Sequence, residues 1–483
     1  MSSIKRVARN TSVLTIAQII SYGEGAIYAI LVARYLGVAG FGILSFAVAL
    51  TAVCGILSTF GLTTLTTREV AKDHGLASKY VANLIPMQVL LALATIGLIV
   101  ALVNVLGYSQ ETIYVVYILS VAIIVSTLSW LLLAIFQAFE QLEFQSVVLV
   151  IMSVVALCGA VIVIQLHLSV VAFALVALLT YVVELAYLYA ICARRFFVPR
   201  LEADFTFWKR ALTEAWPMAA VAVSVIIYFR IDVVMLSLFR GTTAVGFYSV
   251  AYTLSEASLV IPSVFMSALF PVLAKLHQDS KQSFRDACAQ ASRYLLYLAV
   301  PLAFCVTLWA RPIVSLFFGP AYDPSVVALQ ILIWAAAIMY VTQVLGNAFL
   351  AANLQKLNMK LMGFQAALNI GLNVFLIPAY SYFGASIATV AAVACVLPLD
   401  LFFLARNGFA LGFRGASLPP FFALAVIVAI SALLHVNNVP LALITIVDLC
   451  VYAAVIYKFG VNEKDKQLML SLLRRSRSAE AEI

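Results

Sequence analysis

The chain has 483 residues, of which 65% are hydrophobic and only 10% are charged. A soluble protein carries about 25% charged residues, so the composition excludes a soluble domain of any size and indicates an integral membrane protein. The ten-residue alternation of a transmembrane β-barrel is absent. Seven scattered cysteines without a C-x-x-C pair, together with four unclustered histidines, predict no disulfide framework, no metal site and no cofactor.

Apolar runs of roughly 20 residues recur along the whole chain, each long enough to cross the bilayer as a helix. The basic N-terminus precedes a run of full length without an A-x-A cleavage site, which predicts a retained first helix. The pattern predicts an all-α polytopic membrane protein with about fourteen transmembrane helices. They are expected at 13–33, 41–61, 81–105, 113–135, 147–166, 169–192, 213–239, 245–270, 294–318, 325–349, 359–378, 383–405, 418–435 and 439–459.

Lysine and arginine predict the orientation of these helices. When alternate loops are assigned to opposite sides, all 29 basic residues except Arg34, Arg230, Arg240 and Arg311 fall in loops or at span ends on the side of the N-terminus. This asymmetry predicts that both termini are cytoplasmic. The net charge of +8 is explained by loops that face anionic membrane lipids, and no nucleic-acid partner is needed. No predicted outer loop has room for a catalytic domain, which argues against an enzyme.

An internal repeat relates the two halves of the chain. The segments ARYLGVAGFGILSFAVAL (33–50) and SLFRGTTAVGFYSVAYTL (237–254) align at a shift of 204 residues, so that Gly37 and Gly42 match Gly241 and Gly246. The shift contains six spans, so the two repeats insert in the same orientation. Parallel repeats are typical of secondary transporters, whose substrate site lies between the halves. The predicted organisation is a six-helix lobe (1–192), a linker containing Pro199 (193–212), a second six-helix lobe (213–405), and two extra helices with a basic tail (406–483).

Four segments carry a resemblance to a known family. They are NTSVLTIAQII with its continuation to FGLTTLTTREVAKD near the N-terminus, YFRIDVVMLSLFRGTTAVGFYSVAYTLSE (228–256), ARPIVSLFFGPAYDPSVVALQIL (310–332) and LNIGLNVFLIPAYSYFGASIATV (368–390). In this order they resemble the O-antigen and exopolysaccharide repeat-unit flippases of the multidrug/oligosaccharidyl-lipid/polysaccharide exporter superfamily. The resemblance implies a MATE-like fold with two pseudo-symmetric six-helix lobes and two peripheral helices. It also implies transport of an undecaprenyl-diphosphate-linked oligosaccharide across the cytoplasmic membrane by alternating access, and a polysaccharide polymerase is an expected partner.

Arg230 is the first candidate for the substrate site, because it is the one lysine or arginine that the predicted spans place at membrane depth. Its guanidinium matches phosphate oxygens in a bidentate geometry. The alternative is an internal salt bridge to Glu24, Glu256 or Asp232. Arg230 and Asp232 lie two residues apart, about 200° around a helix, so they are not expected to pair with each other.

Acidic residues at membrane depth are the candidates for ion coupling. The repeat places Glu24 on Tyr228 and Tyr28 on Asp232, so each half contributes an acid and a tyrosine four residues apart. Glu256 follows Tyr252 at the same spacing. We interpret these residues as a proton- or sodium-linked group, and the alternative is that each acid is held by its own tyrosine to fix helix packing.

Amide side chains recur every four residues in two late spans. Gln365, Asn369 and Asn373 form one stripe, and Gln343 and Asn347 repeat the spacing in the preceding span. Amide ladders in lipid usually hold helices together, and the alternative role is sugar recognition. Arg68 lies at the predicted cytoplasmic mouth, where it could contact an incoming diphosphate or simply follow the positive-inside bias.

Two other functions remain open at the level of sequence. A cation-coupled multidrug antiporter of the same superfamily would favour an acidic, aromatic cavity without a buried arginine. A non-transporting scaffold for polysaccharide assembly would not need ionisable residues at membrane depth. Arg230 and the 310–390 segments favour the flippase.

Overall fold

The structure is a computed structural model that describes residues 3–411, 418–437 and 439–460. All regular elements in these ranges are helical, and no strand occurs in them, which confirms the predicted all-α class. The α-helices are α1 (Ser3–Thr59), α2 (Leu62–Lys72), α3 (Ala77–Val105), α4 (Gln110–Ala138), α5 (Leu142–Gln165), α6 (Val170–Arg195), α7 (Phe205–Arg240), α8 (Thr242–Ser258), α9 (Val260–Asp279), α10 (Lys281–Phe317), α11 (Ser325–Ala351), α12 (Gln355–Arg406), α13 (Leu418–Val436) and α14 (Leu441–Val455). The basic tail predicted after the last span lies outside the described residues.

Twelve stretches of helix in the described residues are long and apolar enough to cross a membrane. Two of them contain a backbone break where the sequence places a turn: Gly37 in α1 has φ 66° and ψ −177°, and Ser381 in α12 has φ 56° and ψ −136°. Gly241, which separates α7 from α8, has nearly the same conformation as Gly37, with φ 80° and ψ 174°. The predicted count of fourteen crossings, which treats each break as a hairpin, stays a prediction.

The duplication extends to the turns between helices. Four positions of positive φ in the first half recur in the same order in the second half, 204 residues apart at the first pair and 214 at the last. A left-handed residue at a helix end redirects the chain, so the two halves turn at matching places. The pairs are Gly37 and Gly241, Gly107 and Gly319, Glu140 and Asn353, and His167 and Ser381.

The two repeats touch each other through a glycine crossing between α1 and α8. A Cβ on Gly42 would lie 1.9 Å from the carbonyl oxygen of Thr242, and a Cβ on Gly246 would lie 2.2 Å from the carbonyl oxygen of Val38. The contact is reciprocal, because Gly246 and Thr242 are the repeat counterparts of Gly42 and Val38. Only glycine allows the backbones to approach this closely, and such small-residue contacts are typical of helix packing in membranes.

Two compact units can be distinguished by their internal contacts. The first comprises Met1–Ser267, Ala310–Leu332 and Gln355–Val396, and the second comprises Ala268–Trp309, Ile333–Leu354 and Leu397–Ile483. In the second unit α13 and α14 pack on α10 through an apolar cluster that includes Phe304, Ile427 and Tyr452. The lobe boundaries at 192 and 405 stay predictions.

The connection between α6 and α7 lies within the predicted linker 193–212 and is anchored to α3. Helix α6 continues to Arg195 and α7 begins at Phe205. Asn83 of α3 binds the intervening segment, because its Oδ1 accepts from the Asp204 backbone N–H at 3.0 Å and its backbone carbonyl accepts from Trp208 Nε1 at 2.8 Å. Asp204 in turn caps α7 by accepting from the Thr206 and Phe207 backbone N–H groups. The start of α7 is therefore held against α3.

Because the added methyl group would meet a backbone oxygen, Gly42→Ala and Gly246→Ala should each destabilise the protein by about 1–3 kcal/mol, and by similar amounts. Thermal unfolding of the purified protein measures this. Gly97→Ala is the matched control, since a Cβ added to Gly97 would have no atom within 4 Å. It should be neutral or slightly stabilising, and equal stability of all three variants would contradict the crossing.

Candidate functional site

Helix α7 presents Arg230 and Asp232 to different surroundings. The Asp232 residue is only 2% exposed, whereas the Arg230 side chain is 34% exposed. The two residues bind different partners, as their helical spacing predicted. Asp232 lies in a buried hydrogen-bond network, whereas the Arg230 side chain remains accessible.

Asp232 accepts three side-chain hydrogen bonds from two other helices. Asn373 Nδ2 of α12 donates to Oδ1 at 2.6 Å, and Thr389 Oγ1 of the same helix donates to Oδ2 at 2.7 Å. The Tyr248 hydroxyl of α8 donates to Oδ2 at 2.9 Å. Hydrogen bonds of this kind favour the ionised form of a carboxyl group, whereas burial favours its neutral form. Asp232 therefore lies in a site where protonation or cation binding would change the bonding of three helices.

The amides beside Asp232 leave capacity for a further ligand or proton. Asn373 Nδ2 also donates to Asn369 Oδ1 at 2.9 Å, and both asparagines are fully buried. Asn369 Nδ2 and Asn373 Oδ1 have no hydrogen-bond partner. The Thr389 hydroxyl also lies 3.0 Å from the Ala385 carbonyl oxygen, so two acceptors compete for its single proton. Unpaired buried polar atoms are costly, so their clustering here makes this group a candidate functional site.

The tyrosine that binds Asp232 is Tyr248 of α8. The alternative that Asp232 is held by Tyr228 does not describe the structure, because the Tyr228 hydroxyl makes no bond to Asp232. Tyr248 and Thr389 were missed because they come from other helices, and nothing in their local sequence distinguishes them from structural residues. Gln365, two turns before Asn373, lies beside Tyr228.

Arg230 faces α8, where it contacts Glu256 and Tyr252. Its Nη2 lies 3.6 Å from Glu256 Oε1, and its guanidinium carbon lies 5.7 Å from the centre of the Tyr252 ring. The first distance is longer than a hydrogen bond, so the ion pair is loose. The Glu256 side chain is 39% exposed. Of the three salt-bridge partners considered, Glu256 is the one that pairs with Arg230.

A second group of acidic residues, Glu24 and Glu184, lies in the first half of the chain. Glu24 of α1 lies beside Ser153 of α5, and Tyr28 lies close to Glu24 and to Tyr181 of α6. Glu184, one turn after Tyr181, is 3% exposed, and its Oε2 has no hydrogen-bond partner. The acid of each half thus has polar neighbours from other helices.

The remaining candidates make other contacts. In the second unit the Asn347 amide donates to the Gln343 carbonyl of its own helix at 2.8 Å, and both side chains are partly buried. Arg68 of α2 pairs with Glu69 at 2.6 Å and lies 3.6 Å from Glu214 of α7. Hydrogen bonds from Lys72 and Arg68 lower the pKa of the Glu69 carboxyl below its usual range.

Comparison with known proteins agrees with this architecture. The chain superposes on the lipid II flippase MurJ in an inward closed conformation with a TM-score of 0.73 over 92% of this chain and 98% of that one, at 16% identity. An inward-facing multidrug resistance MATE family transporter of the MOP superfamily gives a TM-score of 0.65 over 81% of this chain and 94% of that one, at 14% identity. The chain therefore shares its fold with these two proteins.

Sequence comparison narrows the class to a family. The family model described as "Polysaccharide biosynthesis protein" matches residues 7–277, and the MatE family model matches residues 217–375. The chain belongs to the polysaccharide biosynthesis protein family, and the resemblance stated from the four segments is confirmed.

Two curated relatives come from Haloferax volcanii. The "probable low-salt glycan biosynthesis flippase Agl15" is 23% identical over 35% of this chain, and the "probable flippase AglR" is 28% identical over 34% of it. Each alignment covers 36% of the relative's length. The alignments thus span about a third of the length of each relative.

Proposed function

We propose that this protein is a flippase that moves a lipid-linked oligosaccharide, carried on undecaprenyl diphosphate, across the cytoplasmic membrane by alternating access for surface polysaccharide synthesis. The observation that carries the proposal is Arg230, a cation inside a span that pairs only loosely with Glu256 and remains one-third exposed. A cation at membrane depth is energetically unfavourable, and residues of this kind usually have a function. The flippase names of the Haloferax relatives support the same activity.

The substrate chemistry fits Arg230 and its neighbours. A diphosphate is a better counter-ion for a guanidinium than one carboxylate, because it offers several oxygens to the planar fork of donors. The diphosphate would displace Glu256 from its 3.6 Å contact, while the Tyr252 ring keeps the guanidinium in place. The lipid tail stays in the bilayer, so the protein binds only the polar head. Arg68 is proposed to contact the incoming diphosphate at the cytoplasmic mouth, and Gln343 and Asn347 are proposed to contact the sugars of the head.

Arg230→Ala should abolish transport of a lipid-linked oligosaccharide in proteoliposomes, and Arg230→Lys should retain a fraction of it, because a lysine keeps the charge without the bidentate geometry. Arg311→Ala is the control, since that arginine is 75% exposed and pairs with Asp323. All variants must show normal protein levels in the membrane. Full transport by Arg230→Ala would reject the assignment.

We propose Asp232 as the ion-coupling acid, with Asn369, Asn373, Tyr248 and Thr389 as its supporting residues. Binding of a proton or Na⁺ would change which of these groups donate to the carboxylate and hence how α7, α8 and α12 pack. Glu24 with Tyr28 is the proposed counterpart in the other half. Tyr228, Gln365 and Glu256 are proposed to couple Asp232 to Arg230. The full burial of Asn369 and Asn373 favours this role over sugar recognition.

If Asp232 couples transport to an ion gradient, Asp232→Asn should lose the response of transport rate to an imposed pH or sodium gradient. Asp448→Asn is the matched control: Asp448 is 1% exposed in α14 and accepts a hydrogen bond from Ser431 of α13. That variant should still respond. Should Asp232→Asn track the gradient as the unsubstituted protein does, the coupling role fails.

A multidrug antiporter of the same superfamily is the second candidate, supported by the match to the MatE family model over 217–375. Arg230 argues against it, because a cationic drug would be repelled by an exposed guanidinium. A scaffold without transport is a weaker candidate, and so is an enzyme. A polysaccharide polymerase is a proposed partner that would consume the exported units.

The proposed orientation places both termini in the cytoplasm and assigns the lobes to 1–192 and 213–405. It rests on the lysine and arginine asymmetry of the loops. A cysteine introduced as Ser109→Cys should be labelled from outside the cell by a membrane-impermeant reagent, whereas Ser2→Cys should be labelled only after the membrane is opened. The reverse pattern would overturn the topology.

A further inference from the structure

A cleft lies between α2, the start of α3 and the start of α7. Its volume is about 150 Å³, which at about 30 Å³ per water equals the space of roughly five waters. That is room for a phosphate group with part of its substituent. The lining residues are Glu69, Leu76, Lys79, Tyr80, Phe207, Arg210, Ala211 and Glu214. Arg210 is 20 residues before Arg230, about 30 Å along the helix, so this cleft is separate from the Arg230 site.

The ion pairs around the cleft do not include Lys79. Glu69 is bound by Arg68 at 2.6 Å and by Lys72 at 2.8 Å. Glu214 is bound by Arg210 at 2.8 Å. Lys79 has no carboxylate partner in the part of the chain that the structure describes, and its ammonium lies 5.9 Å from the centre of the Phe207 ring. An anion entering the cleft would therefore meet Lys79 without a carboxylate partner, and Arg210 also lines the cleft.

The residues around the cleft are of the types found at a membrane interface. Helix α2 buries Leu62, Leu65 and Val70 against other helices of the protein and exposes Arg68 and Lys72. Lys79 and Tyr80 lie in the first turn of α3, where basic and aromatic residues anchor a span at the interface. Tyr80 packs edge-on against Phe207 with ring centres 5.0 Å apart. These two aromatic rings would contact the glycerol or sugar that is attached to the phosphate.

We propose that this cleft binds the phosphate of a lipid headgroup, with Lys79 and Arg210 as the contacting cations. Two lipids share that chemistry: an anionic phospholipid resident beside the protein, and the diphosphate carrier of the proposed substrate on its way in. Only the second source rests on the proposed function. Ion pairing at Glu69 and Glu214 keeps the carboxylates from repelling the phosphate, because each is already neutralised by an arginine or lysine.

The test is lipid binding to the purified full-length protein, counted by native mass spectrometry with phosphatidylglycerol in one arm and undecaprenyl diphosphate in the other. Lys79→Ala and Lys79→Gln should weaken binding at least tenfold, because each loses a charge-assisted contact to phosphate. Lys209→Ala is the matched control: Lys209 is exposed, adjoins Arg210 and does not line the cleft.

The two arms identify the source. Loss confined to phosphatidylglycerol assigns the cleft to a resident lipid, and loss confined to undecaprenyl diphosphate assigns it to substrate entry. Unchanged binding of both lipids by the Lys79 variants overturns the proposal, and so does an equal loss in Lys209→Ala, which would mean diffuse attraction. Since Lys79 is not part of the Arg230 site, transport that fails in Arg230→Ala while lipid binding is retained separates the two proposals.

Discussion

The need to keep a carboxyl group hydrogen-bonded at membrane depth organises the centre of this protein. An unpaired buried carboxylate is strongly unfavourable, so Asp232 of α7 is surrounded by donors from α8 and α12. Tyr248, Asn373 and Thr389 all bind it, at 2.6–2.9 Å. Three helices thus share one acid, and a change in its charge acts on all three at once. The orphan atoms of Asn369 and Asn373 show that the network is not closed on itself.

The second constraint is the approach of the two repeats at Gly42 and Gly246. Because each glycine faces the backbone oxygen of its counterpart's hairpin, the contact fixes α1 against α8. Tyr248, two residues after Gly246, is then placed where its hydroxyl can reach Asp232. The same helix α8 supplies Glu256 and Tyr252 to Arg230. One rigid crossing therefore positions partners for both charges of α7.

The sequence predicted what depends on local pattern and missed what depends on helix rotation. Apolar runs predicted the helical class and most spans, and the matching glycines indicated the repeat. The gaps between predicted spans at 34–40 and 379–382 contain the backbone breaks at Gly37 and Ser381. Helical spacing correctly separated Arg230 from Asp232. The alternative that Tyr228 holds Asp232 depended on a spacing of four, which shows only that two residues share a face. The roles of Tyr248 and Thr389 depend on how α8 and α12 are rotated, which an almost uniformly apolar sequence does not reveal.

The central claim is that the two charges of α7 have separate tasks, Arg230 for the anionic head of the substrate and Asp232 for coupling. Equilibrium binding of an undecaprenyl-diphosphate-linked oligosaccharide to the purified protein tests this most directly, because binding needs no gradient. Arg230→Ala should lose most of the affinity, whereas Asp232→Asn should bind nearly as well as the unsubstituted protein. Equal loss in both variants, or loss only in Asp232→Asn, would contradict the division of tasks.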